Sequence, residues 1–155
     1  MNIYEVLNEL KITYDEIEHP PVYTVEEAKL VEDGIEGTGC KNLLLTNKKK
    51  DHFFLVILEE NKKADIKGIS KMVEVPHLSF ANGDDLYERL GLIPGSVSPL
   101  GIINDAENQV VLLLDSDLKG KRLLFHPNVN TRTVSLEYED LIRFIEFEKH
   151  TYYFL

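Results

Sequence analysis

The sequence predicts a single α/β domain over residues 1–155, built on a mixed, mostly antiparallel sheet with surrounding helices. Three observations predict it. Apolar residues recur at helical spacing in some stretches and alternate or run together in others, and the two kinds interleave irregularly. A length of 155 residues suits one domain with a substantial core. Between Gly91 and Gly101 lie three glycines and two prolines, a run that neither a helix nor a paired strand can continue.

Each element has its own justification. Ile3, Val6, Leu7 and Leu10 have helical spacing behind Asn2, a candidate N-cap. Residues 12–18 alternate as a short strand that His19-Pro20-Pro21 stops. Thr24 stands three residues before Glu27, the capping-box spacing, and predicts a helix from Val25 to Leu30 or Val31. Gly34, Gly37 and Gly39 punctuate a loop. Residues 42–46 and 52–58 read as strands of a hairpin whose turn is the polar, basic segment 47–51. Ile66, Ile69, Met72 and Val73 form a helical stripe, and residues 78–80 a short strand. A helix carrying Leu86, Tyr87 and Leu90 starts at Asn82 or Gly83, has Asp84 and Asp85 in its first turn, and ends at Gly91. Strands are expected at 100–103, 109–114, 122–125 and 131–136, with one helical turn at 115–120. Leu141, Ile142 and Ile145 make the stripe of a last helix over 137–147, and the aromatic tail 150–155 packs on the body or on a partner.

Composition narrows the function classes. No apolar run approaches the roughly 18 residues of a membrane span, and the first residues lack a basic-then-apolar signal pattern. Cys40 is the one cysteine, which excludes an internal disulfide and a multi-cysteine zinc site. These points favour the cytoplasm and a protein with no membrane partner. The net charge of −10 argues against broad nucleic-acid binding. Residues 41–71, however, carry +4 while the remainder carries −14. Such lysines are a solvated face or a footprint for a local anion, such as one RNA end.

No P-loop, G-x-S-x-G, H-E-x-x-H or G-x-G-x-x-G is present, and the five histidines lack metal-ligand spacing. Three features remain. Lys41 lies where a glycine loop enters an apolar strand; it is either a surface lysine or a point charge that clamps a phosphate or a carbonyl oxygen. Asn42 beside it can donate and accept, as a ribose or base edge requires. The loop Gly95-Ser96-Val97-Ser98-Pro99-Leu100-Gly101 is either a plain turn or a shaped cradle presenting bare backbone N–H groups. His126 stands in the rigid turn Phe125-His126-Pro127-Asn128, as a structural or a functional residue. Cys40 reads as a buried small residue, since no adjacent base would activate it.

Taken together, the P-G-S-V-S-P-L-G loop, the Lys-Asn pair at a strand head and the F-H-P-N turn resemble the YbaK/prolyl-tRNA synthetase editing-domain superfamily. More narrowly, they resemble its free-standing, ProX-type alanyl-tRNA(Pro) deacylases. The likeness runs from the first helix to the last. The family's G-x-x-x-P loop matches Gly95 to Pro99, its lysine Lys41, the neighbouring asparagine Asn42 and its late-turn histidine His126.

The resemblance implies a trans-editing hydrolase that removes alanine mischarged onto tRNA(Pro). It implies no metal, no cofactor and no covalent enzyme intermediate. The partner is then the mischarged acceptor end, with prolyl-tRNA synthetase as a candidate second partner and no role for DNA. In that picture Lys41, Gly95 and His126 serve catalysis: the backbone of Gly95 to Pro99 and the terminal 2′-OH position a water, and His126 helps to place the ribose or phosphate. Lys41 and Asn42 hold the terminal nucleotide. Ser96, Val97, Ser98, Pro99, Leu100 and Gly101 contact substrate, with Val97 and Leu100 forming the pocket for the alanine methyl. Two alternatives stay open: a YbaK-type Cys-tRNA(Pro) deacylase, and a non-catalytic module that binds tRNA or a synthetase.

Overall fold

A computed structural model describes residues 2–155. The chain opens with helix α1 (Ile3–Glu9), where Asn2 Oδ1 accepts from Glu5 N at 2.9 Å. Strand β1 (Asp15–Glu18) and helix α2 (Val25–Glu32) follow, α2 being capped by Thr24 Oγ1 accepting from Glu27 N. The hairpin pairs β2 (Thr38–Thr46) with β3 (Phe53–Glu59). Its turn closes on Asn47 Oδ1, which accepts from both Asp51 N and His52 N. Helix α3 (Ile66–Val73), strand β4 (Ser79–Phe80) and helix α4 (Gly83–Leu90) come next. Asn82 and Asp85 form a reciprocal capping box on α4, and Gly91 ends it at φ +66°, a left-handed angle natural to glycine. After a 3-10 turn (Pro99–Asn104) come β5 (Val110–Leu114), a short turn, β6 (Arg122–Phe125), β7 (Arg132–Glu137), helix α5 (Tyr138–Phe147) and β8 (Tyr152–Phe154).

The strands join in the order β1-β7-β6-β2-β3-β5-β8, with β4 also on β2. The pairs β1·β7, β6·β7, β2·β3 and β2·β4 are antiparallel; β2·β6, β3·β5 and β5·β8 are parallel. The sheet is therefore mixed and mostly antiparallel, as the sequence predicts. Side chains alternate between its faces. Leu44, Leu55 and Ile57 pack with α1, α4 and α5 in the larger core, whereas Leu45, Phe54, Val56 and Leu58 pack under α3 in a second one. β3 is buried on both faces, which explains its unbroken apolar run. Among the described residues no helix is long and apolar enough to cross a membrane.

One element differs from the sequence reading and one goes beyond it. Residues 100–103 are a 3-10 turn where a strand is expected. Ser98 Oγ accepts from Leu100 N at 3.1 Å, and Pro99 presets the first turn, so local capping overrides the apolar run. The aromatic tail, expected to pack on the body or on a partner, packs on the body and does so as a strand, β8, paired in parallel with β5 through Leu112↔Tyr152 to Leu114↔Phe154.

One detail of pairing creates the site. β3 holds one flank of β2 from Cys40 to Thr46. On the other flank β6 pairs only with Thr38 and Gly39, and β4 only with Leu45 and Thr46, while Ala81 N reaches Leu44 O. Between them, on this flank, Lys41 to Leu43 have no strand beside them among the described residues. The parallel strands β2 and β6 diverge there, and a gap opens beyond Gly39 and Leu124.

Candidate active site

The gap is occupied by the glycine-proline loop. Asn42 Nδ2 donates to Val97 O at 3.2 Å, joining the loop to the bare flank of β2. A carbonyl can only accept, so this bond fixes the amide orientation and leaves Asn42 Oδ1 as the free end. That oxygen is buried and has no partner. No hydrogen bond from the Gly95 or Val97 N–H occurs among the described residues.

Around this junction lies a cavity of about 290 Å³. Its floor is Cys40, Lys41 and Asn42 of β2 with Leu124, Phe125, His126 and Thr133. Gly95 and Val97, then Val22, Tyr23, Thr24 and the α2 residues Ala28, Val31 and Glu32, and Glu60 also line the cavity. Five of the residues singled out from sequence thus meet: Lys41, Asn42, Gly95, Val97 and His126. Lys41 is the only lysine or arginine among the lining residues, and it makes no ion pair among the described residues.

His126 sits just past the end of β6. Its Nδ1 faces the Arg132 carbonyl at 3.0 Å, so Nδ1 carries the proton and Nε2 of the neutral ring is an acceptor. Burial, first, and the neighbouring His19 hold its pKa below the usual histidine value, opposed by the bond to Arg132. The His19 ring lies 6.0 Å away, between centroids. Both nitrogens of His19 are taken, Nδ1 by Pro20 O and Nε2 by Thr133 Oγ1, each at 2.8 Å. Of the two rings, only His126 keeps a nitrogen without a protein partner.

The other expected contacts lie elsewhere. Ser96 is buried in a turn in which its N–H bonds Ile93 O, and Ser98 is spent on capping the 3-10 turn. Pro99, Leu100 and Gly101 are buried within that turn, Leu100 in the larger core and Gly101 against the Leu92 side chain. None of these five lines the cavity. Leu100 therefore does not wall a pocket for a substrate methyl; of the expected pair only Val97 does.

The expected basic footprint is also reduced. Lys62 is held by Asp115 and Asp117, and Lys50 by Asp85. Residues 48–50 lie at the far turn of the hairpin, about 20 Å along β2 from Lys41 at ~3.3 Å per residue.

Sequence reasoning missed Tyr23, Thr133 and a pair of acids. Glu32 and Glu60 converge on Gly39, where any Cβ would collide with a carboxyl oxygen of each. Burial and then the Glu60 carboxyl push the pKa of Glu32 up to about 8, so one proton stays with the pair at neutrality. The glycines read from sequence as punctuating a loop include Gly39, which lies inside β2, and nothing in sequence joins Glu32 to Glu60. Burial also pushes the Cys40 thiol far up, and its Sγ points to Thr38 O at 3.6 Å, an environment that disfavours the thiolate.

A model of the aminoacyl-tRNA editing domain matches residues 19–144, a span that holds every wall of this cavity. The chain belongs to that family. It is 38% identical over 147 residues to the prolyl-tRNA editing protein ProX of Acetoanaerobium sticklandii, covering 94% of this chain and 90% of that protein. It is 34% identical over 150 residues to prolyl-tRNA synthetase associated domain-containing protein 1 of Danio rerio, covering 95% and 81%. Among solved structures it is similar to one described as a proposed trans-editing enzyme for prolyl tRNA synthetase. The TM-score is 0.70 at 21% identity, over 92% of this chain and 85% of that one, which is a likeness of fold. The editing-domain fold thus places its cavity where β2 and β6 part.

Proposed function

We propose that this chain is a trans-acting deacylase that hydrolyses the ester of alanine mischarged onto tRNA(Pro). The observation that carries the reading is the meeting of Lys41, Asn42, Gly95, Val97 and His126 in one cavity. The relatives' names support prolyl-tRNA editing and, with prolyl-tRNA synthetase in one of them, a second partner; the alanine is this reading's own addition.

The chemistry follows from the groups present. A water oxygen attacks the ester carbonyl carbon, the bond to the ribose oxygen breaks, and that oxygen leaves with a proton. Lys41 offers the cavity's one fixed positive charge to the terminal phosphate or to the developing oxyanion. The unpaired Gly95 and Val97 N–H groups lie beside it as further donors. The buried Asn42 Oδ1 accepts from a ribose hydroxyl, which supplies the partner it lacks. His126, neutral with Nε2 free, accepts from the ribose or the water. The substrate's own 2′-OH then helps to position the water, and the site selects RNA over DNA.

The test is to incubate purified protein with Ala-tRNA(Pro), Cys-tRNA(Pro) and Pro-tRNA(Pro) and to follow amino-acid release. Alanine is released and proline is spared; Cys40→Ala keeps the activity. Release of cysteine alone gives the cysteine-specific alternative, and release of none gives a binding module. A substrate ending in 2′-deoxyadenosine binds and turns over slowly. Undiminished turnover moves water activation to His126.

A further inference from the structure

We propose that Tyr23 is the platform on which the terminal nucleobase of the substrate RNA stacks. This rests on the deacylase reading and adds the rim contact that the cavity itself lacks. Tyr23 is 70% exposed, and of the large hydrophobic side chains that the fold leaves in solvent it alone lines the cavity. The other exposed aromatics, Phe80, Tyr87, Phe147, Tyr153 and Phe154, lie on other surfaces.

Its exposure is held in place from both sides. Val22 is buried, and its carbonyl accepts from Asn130 Nδ2 at 3.5 Å. Thr24 is committed to capping α2. With both neighbours engaged, the backbone at Tyr23 is tied to the mouth of the cavity. One edge rests on Gly95, where an added Cβ would stand 3.3 Å from Cδ1 and 3.6 Å from Cε1. The rest of the ring faces solvent at the mouth.

Substrate geometry supplies the other half. The ester sits on a ribose oxygen and the base leaves the same ribose from C1′. With the ester beside Gly95 and Lys41, the base lies one sugar-width away, a distance that brings it to Tyr23 at the rim. It is unpaired there, and proteins hold unpaired RNA bases by stacking them on aromatic rings. The stack needs the ring face and not the hydroxyl, which makes no hydrogen bond among the described residues.

The experiment measures binding and chemistry separately. RNA minihelices are prepared with a complete unpaired end or with an abasic last ribose, and binding to the full chain is followed by fluorescence anisotropy. Tyr23→Ala weakens binding of the complete end roughly tenfold and leaves binding of the abasic end unchanged, while Tyr23→Phe behaves as wild type. With alanylated minihelix, Tyr23→Ala raises KM by a similar factor and leaves kcat in place. Equal losses on both RNAs, or no loss on either, overturn the proposal. A wild type that never releases alanine yet binds with this Tyr23 dependence overturns the deacylase reading alone. Because Tyr23 is exposed, thermal melting of the variants stays at the wild-type value.

Discussion

From Leu44 to Thr46, β2 runs between β3 and the segment of β4 and Ala81, and Thr46, Asn47 and Lys50 at that end all have partners. Thr46 Oγ1 donates to His52 O, Lys50 meets Asp85, and Asn47 closes the turn. From Cys40 to Asn42 the same strand lacks one neighbour, and some of the groups beside it lack partners among the described residues or share a proton. Lys41 has no anion, Asn42 Oδ1 has no donor, and Glu32 keeps a proton against Glu60. One strand thus carries a finished half and an incomplete half. Leaving the buried Asn42 Oδ1 unpaired costs about 1–3 kcal/mol, which a donor from a ligand at the incomplete half would offset.

The comparison breaks most directly at the lysines. Lys41→Ala lowers deacylation about 10²-fold, the scale of removing a single charged group from a reacting centre, while the protein melts normally. Lys50→Ala, at the finished end, leaves turnover unchanged. Equal effects from the two would erase the distinction, and single-turnover release of alanine measures it.

Gly95→Ala comes next. Gly95 sits at φ +92°, so a Cβ adds backbone strain and meets the Tyr23 ring as well. Turnover falls roughly tenfold, the effect of about 1.4 kcal/mol on the barrier, and the electrostatic hold of Lys41 on RNA changes little. Turnover at the wild-type level would remove this loop from the chemistry.

The smallest effect is one of stability. The folded-state pKa of Glu32, about 8, lies above its ordinary carboxylate value of 4.5. The folded state therefore binds a proton that the unfolded chain has released. Stability from this group is complete below about pH 4.5 and is lost as pH rises through about 8. Glu32→Gln removes that dependence, so the variant gains on wild type across this window and holds a constant lead above it. Thermal melts from pH 5 to 9 read the difference, and parallel curves would show that the two carboxyls do not share a proton.

Much of the architecture is legible in the sequence because it is local. The Thr24 and Asn82 caps, the Asn47 turn and the stripe of Ile66, Ile69 and Val73 are short-range signals, and each produces its element. The 3-10 turn is not legible, because Leu100 to Ile103 are apolar like a strand and the deciding bond from Leu100 N to Ser98 is a matter of angle. β8 escapes because a three-residue aromatic tail carries no period. At the site, Lys41, Asn42, Gly95 and His126 stand out by residue type beside unusual backbone. Ser98 and Leu100 share that loop, but burial assigns them to the scaffold. Tyr23, Glu32 and Glu60 become visible only when β2 and β6 part, since their meeting is long-range.

That parting has a consequence for synthesis. The β2–β3 hairpin is local and forms early, but the residues that flank the open end of β2 arrive about 85 positions later, when Leu123 and Leu124 pair with Thr38 and Gly39. β1 waits longer still, for β7. A nascent chain that has reached only β5 holds the hairpin and the core under α3 but has no cavity. The floor that Leu124, Phe125, His126 and Thr133 give the cavity is thus absent until β6 and β7 have left the ribosome.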